Sequence, residues 1–278
     1  HVLTDMETRE ERFDYIASHY IGTSSADEAA NLPGFSAREI RQLDKSGRIT
    51  DEPVLFLTFD DWGTDVPINR LLYVLRKHNV KATFFVRANY VEYNPNLLRS
   101  IAEEGHEIAS HSYAHLPLAD YNEGTGRYTS LTEEELLELR ADLVRSYREL
   151  YRYVGDVEVD GVPSLSALFR PPTLSVSYEG LSQVFDVGFT YSVSGDFSTH
   201  DYEAESLEQL IDTFKNGIVT GQRRLRIQNG SCIVMHMSDE SKYTAQALDI
   251  MIPIWKEQGY SFARLDSYLT QDGQDGGR

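Results

Sequence analysis

The chain has 278 residues, 41% hydrophobic and 25% charged, which suits one barrel-sized globular domain of about 200–250 residues with a short extension. Its 44 acidic side chains against 26 basic ones leave a net charge of −18, which repels phosphate backbones and anionic membranes and excludes nucleic acid as a natural partner. A single cysteine, Cys232, excludes an internal disulfide, and no apolar run approaches the roughly 20 residues of a membrane span.

The first residue is His1, not Met, so a processed or partial chain is expected, one in which a leader or anchor is no longer visible. Residues 1–52 are polar and mostly helical in pattern, with Ser36 and Glu39 at capping-box spacing, and they read as a structural extension or linker. From Val54 short apolar runs alternate with amphipathic stretches. Strands are predicted at 54–59, 82–86, 107–110, 167–169, 189–193, 232–235 and 261–263. Helices are predicted near 66–78, 95–104, 132–153, 177–186, 205–219 and 241–258, the third opening on a Thr132–Glu135 capping box. This alternation predicts an α/β fold, a distorted (β/α) barrel of about seven parallel strands over residues 53–270. The tail, residues 271–278, is of low complexity and is expected to be disordered.

In such a barrel the reactive side chains collect where strands end. Asp60 and Asp61 close the first apolar strand; on an ideal strand neighbours point apart, so a bend is needed to bring both to one cavity. Taken alone, the pair reads more readily as a solvated acidic loop. His111 and His115 follow the third strand, four residues apart, and with one Asp they form a His, His, Asp set that suits zinc or a similar divalent ion. Arg170-Pro-Pro-Thr173 follows the fourth strand, Gly195-Asp196-Phe197 the fifth, and Val234-Met-His236 ends the sixth. Each has a bland reading as turn or core. Five polar clusters ending five of the first six strands are best explained by a shared cavity.

These clusters also fall in the order of a known family's motifs. The region from about Val54 to Leu269 resembles the polysaccharide deacetylases, the NodB-homology domain of carbohydrate esterase family 4, most specifically through Thr58-Phe-Asp-Asp61 and His111-Ser-Tyr-Ala-His115. The resemblance implies a secreted or cell-envelope enzyme that removes N-acetyl groups from an amino-sugar polysaccharide, expected as a monomer. It implies that Asp61, His111 and His115 bind a divalent metal, zinc first or cobalt. It further implies Asp60 as general base, His236 as general acid, Arg170 keeping Asp60 charged and Asp196 orienting His236. The Thr173 amide would stabilise the oxyanion, while Trp62, Phe197, Tyr113 and Val234 would shape the substrate groove.

Several positions depart from the family's pattern. Trp62 stands where glycine is usual, Thr173 replaces a tyrosine, Phe197 a tryptophan and Val234 a leucine. These affect the groove more than the chemistry. His106 reads as structural, and His200-Asp201 as a solvated loop. Removal of O-acetyl groups from xylan, attack on a small cyclic amide and a metal-free glycan-binding domain remain as alternatives.

Overall fold

The computed structural model describes residues 3–22, 31–44 and 46–269; the low-complexity tail at 271–278 lies outside them. Among the described residues nine strands form one parallel sheet. They are β1 (Tyr20–Ile21), β2 (Val54–Asp61), β3 (Thr83–Val86), β4 (Glu107–Ser110), β5 (Leu165–Phe169), β6 (Tyr191–Val193), β7 (Phe197–Ser198), β8 (Cys232–His236) and β9 (Ser261–Phe262). Their spatial order is β1-β6-β5-β4-β3-β2-β8-β7, with β9 paired to the first residues of β2. The sheet curls into a half-barrel, so the expected α/β distorted barrel is present.

Helices cover the convex face: α1 (Arg9–His19), α2 (Ala37–Gln42), α3 (Asp65–Lys77), α4 (Pro95–Glu103), α5 (Glu133–Val154), α6 (Tyr178–Asp186), α7 (Leu207–Asn216) and α8 (Thr244–Glu257). The capping boxes read at Ser36–Glu39 and Thr132–Glu135 both form, each satisfying two orphan backbone donors. Strand alternation sorts the core. Leu55, Leu57, Phe59, Phe84, Ile233 and Met235 point outward and pack under α3, α4 and α8. Fully burying each such side chain is worth roughly 1.5–3 kcal/mol. Val54, Phe56, Phe85, Ala109, Leu168 and Cys232 point inward and fill the hollow of the curl.

The N-terminal residues join this body. Tyr20 and Ile21 pair with Ser192 and Val193, making β1 the edge strand, and Phe13 and Ile16 of α1 are buried with Phe185 of α6. Strands β1 and β7 have only two residues each, too short for any periodicity to announce them. Antiparallel hairpins at 120–129, 158–163 and 218–225 decorate the sheet. No helix among the described residues is long and apolar enough to cross a membrane.

Candidate active site

Inward alternation carries Thr58 and Asp60 of β2, and Val234 and His236 of β8, to the carboxyl edge of the sheet, where Asp60 and His236 are paired in register. Asp61 should point outward. Its backbone instead turns to φ 77°, a left-handed conformation rare for a non-glycine residue, and both carboxylates line one cavity of about 370 Å³. His115, Thr173, Leu174 and His200 line the same cavity, also at positive φ. Such strain concentrated at one cavity is typical of a functional site held in place by its surroundings.

Asp61, His111 and His115 offer ligand atoms that all lie within 4.8 Å of one another. The Asp61 Oδ1 atom is 3.4 Å from the Nε2 of each histidine, a spacing that a shared ion can bridge. His111 Nδ1 lies 2.8 Å from the Arg170 carbonyl oxygen. A carbonyl only accepts, so Nδ1 carries the hydrogen and Nε2 presents its lone pair to the cluster. One carboxylate and two neutral imidazoles match the donor set of a divalent transition-metal site with open positions. The group therefore fits a divalent metal.

The loop bearing both histidines is pinned from beneath. Asp142 of α5, buried, accepts hydrogen bonds from the backbone N–H of Tyr113 (2.8 Å) and Ala114 (2.7 Å). Beside Asp61, a Cβ on Gly63 would stand 2.3 Å from the Met237 carbonyl oxygen. Only glycine fits there, one residue beyond Trp62.

Arg170 has no solvent exposure. Its Nη1 donates to Asp60 Oδ1 and Thr58 Oγ1, both at 2.7 Å, and its Nε to the Val193 carbonyl at 2.9 Å. The guanidinium stacks 4.2 Å from the Phe85 ring centre. Asp60 is thus fixed through Oδ1, leaving Oδ2 toward the cavity, 4.0 Å from His111 Nε2.

Four sequence expectations need correction. Asp196 does not orient His236: it accepts hydrogen bonds from Ser231 Oγ (2.7 Å) and the Cys232 N–H (2.5 Å). Those residues begin β8, whereas His236 ends it, about 13 Å further along at strand rise. The partner of His236 is Asp201, whose Oδ1 lies 2.7 Å from Nδ1 while Oδ2 accepts from the His236 N–H and from Thr244 Oγ1. Asp201 is fully buried, not in a solvated loop. Burial works against a charged His236, but Asp201 together with Asp60 and Asp61 outweighs it and pushes the imidazole up to about 9.

Phe197 does not line the groove. Paired with Ile233, it faces outward and is fully buried in the core under the helices, and Ser198 takes the inward place at the cavity. Tyr113 lies off the cavity too, packed against the core with Arg145 stacked 3.9 Å from its ring centre. Thr173 and Val234 line the catalytic cavity, and Trp62 lines a neighbouring one. His106 is buried and accepts the Ala82 N–H, a structural placement. Tyr202, unremarked in the sequence, stands edge-on to His236 with ring centres 4.8 Å apart.

A family model described as polysaccharide deacetylase matches residues 47–192, more than half of the chain. The chain belongs to the polysaccharide deacetylase family. Among its relatives, the peptidoglycan-N-acetylglucosamine deacetylase PgdA of Listeria monocytogenes is 28% identical over 220 residues, covering 79% of this chain. The chain spans only 40% of that relative's length. The solved Bc1960 peptidoglycan N-acetylglucosamine deacetylase superposes with a TM-score of 0.62 at 26% identity, over 81% of this chain and 92% of that one. A family 4 acetyl xylan esterase from Clostridium thermocellum, solved with a cobalt ion, gives 0.59 at 27%, over 78% and 90%. The matched region of this family member includes Asp60, Asp61, His111, His115 and Arg170.

Proposed function

We propose that this chain removes N-acetyl groups from an amino-sugar polysaccharide of the cell wall, working outside the cytoplasm as a monomer. The observation that carries this reading is an opposed pair: Asp60, fixed by Arg170, and His236, fixed by Asp201, flank the Asp61, His111 and His115 cluster in one cavity. Residues 53–270 would carry the chemistry, braced by residues 1–52.

Asp61, His111 and His115 would hold a divalent ion, which we take to be zinc with cobalt as a substitute, and when bound it would supply Lewis acidity, lowering the pKa of a water from about 16 toward 7 and polarising the acetyl carbonyl. Asp60 accepts the water proton on Oδ2, the oxygen that Arg170 leaves available. The Thr173 N–H stabilises the oxyanion formed as the water oxygen attacks. His236, protonated near neutrality, donates from Nε2 to the amine nitrogen as the carbon–nitrogen bond breaks, since Nδ1 is taken by Asp201. Acetate and a free amino sugar result. Val234, which lines the cavity, would bound the acetyl methyl group.

Similarity to the acetyl xylan esterase favours one second reading, O-acetyl ester hydrolysis by the same residues. Acetate release from peptidoglycan strands, chito-oligosaccharides and acetylated xylan, with added metal and after chelation, separates the two. Metal-dependent release from the amino-sugar polymers is expected. Release from xylan alone favours the ester reading, and no release from any of them contradicts both.

A further inference from the structure

The catalytic cavity adjoins a second cavity of about 670 Å³, and the two share Asp61, Ser238 and Glu240. The walls of the second come mainly from Trp62 and from the segment that follows β3, bearing Arg87, Tyr90 and Tyr93. Tyr90 and Tyr93 are 52% and 77% exposed, with ring centres 6.2 Å apart. Aromatic faces left open in a polar cleft suit the C–H faces of pyranose rings. Its position beside Asp61 suits the sugar next to the reacting one.

Arg87 gives this cleft a sign. Its guanidinium lies 5.6 Å from the Tyr90 ring centre, and its Nε is shut off from water without a hydrogen-bond partner. Among the described residues no carboxylate pairs with Arg87, although the chain carries 44 acidic groups. A shielded guanidinium N–H without an acceptor is costly, and a ligand oxygen would remove that cost. The cleft's carboxylates have other engagements: Asp65 accepts a hydrogen bond from Asn94, while Asp61, whose carbonyl accepts the Arg87 backbone N–H, and Glu240 sit at the seam with the catalytic cavity.

We propose that the second cavity binds the neighbouring sugar of the substrate and selects one that bears a carboxylate, gripped by Arg87. The inference rests on the deacetylase reading for where the reacting sugar sits. Its test reads binding, independent of turnover. The chain has two tryptophans and Trp255 is 2% exposed, so fluorescence quenching by an added sugar reports on Trp62. The metal-loaded protein carrying His236→Ala, which suppresses hydrolysis, is titrated with N-acetylglucosaminyl-N-acetylmuramic acid and with neutral N,N′-diacetylchitobiose.

The acidic disaccharide is expected to bind about tenfold more tightly, as a charge-assisted pair warrants. Adding Arg87→Gln should bring the two affinities within about twofold of each other, and Arg87→Lys should keep part of the preference. Equal affinities in the parent, a preference that survives Arg87→Gln, or no quenching by either sugar overturns the proposal. Acetate release by the protein with His236 intact, measured on the same two sugars, reports separately on the deacetylase reading.

Discussion

His236 draws its proton affinity from a residue five positions away from the one its motif suggests. Asp201 accepts from the ring and from the backbone of His236, and with Asp60 and Asp61 it pushes the imidazole up to about 9. In its proposed role as general acid His236 must be protonated, so activity is expected to fall as pH rises through that value. Asp201→Asn is expected to lower kcat by roughly 10²-fold and to move the alkaline limb of the pH–rate profile toward neutrality; an unmoved limb would remove Asp201 from this role. The Asp196 carboxylate is pushed up to about 7 by burial, against its hydrogen bonds to Ser231 and Cys232. Its pKa is raised in the folded state, so its contribution to stability is full below about pH 4 and is lost as pH rises through about 7. Asp196→Asn should therefore flatten the fall in urea midpoint between pH 4 and 7 while sparing the alkaline limb of activity. In sequence the two aspartates look alike. What separates them is position along β8, which only three-dimensional register supplies.

At the scale of elements, the longer strands and helices are readable because periodicity needs length, and β2 with its unbroken apolar run is the clearest case. The alternation that places Asp60 inward is readable as well. The turn of Asp61 to positive φ is not, nor is the outward parity of Phe197, because both depend on neighbouring strands. The same holds for Asp142, an unremarked acidic residue on an amphipathic helix. Its carboxylate holds the loop between the two ligating histidines through the Tyr113 and Ala114 amides. Asp142→Ala removes the acceptor of the half-buried Tyr113 N–H and the more exposed Ala114 N–H and should cost about 1–2 kcal/mol in stability. It should also weaken metal affinity roughly tenfold, since support behind the ligands is lost. Paired urea and metal titrations check this: a normal metal affinity in the variant would show that the histidine loop holds its shape unaided.

For the whole molecule, the curled parallel sheet gathers residues separated by up to 176 positions, Asp60 to His236, at one edge. Its motif order is legible in the chain, and the first three motifs lie within residues 47–192, which the family model matches. The contribution of α1 and β1 is less legible, since a two-residue strand at the sheet edge leaves no trace in composition. In the proposed division of labour, Asp61, His111 and His115 would hold the metal, and Asp60 would move the proton without ligating it. Acetate release by metal-loaded Asp60→Asn, measured together with its metal content, tests this most directly. The expected result is metal affinity within about twofold of the unsubstituted protein and a rate lower by about 10²–10⁴-fold. Turnover at the unsubstituted rate with full metal occupancy would contradict it.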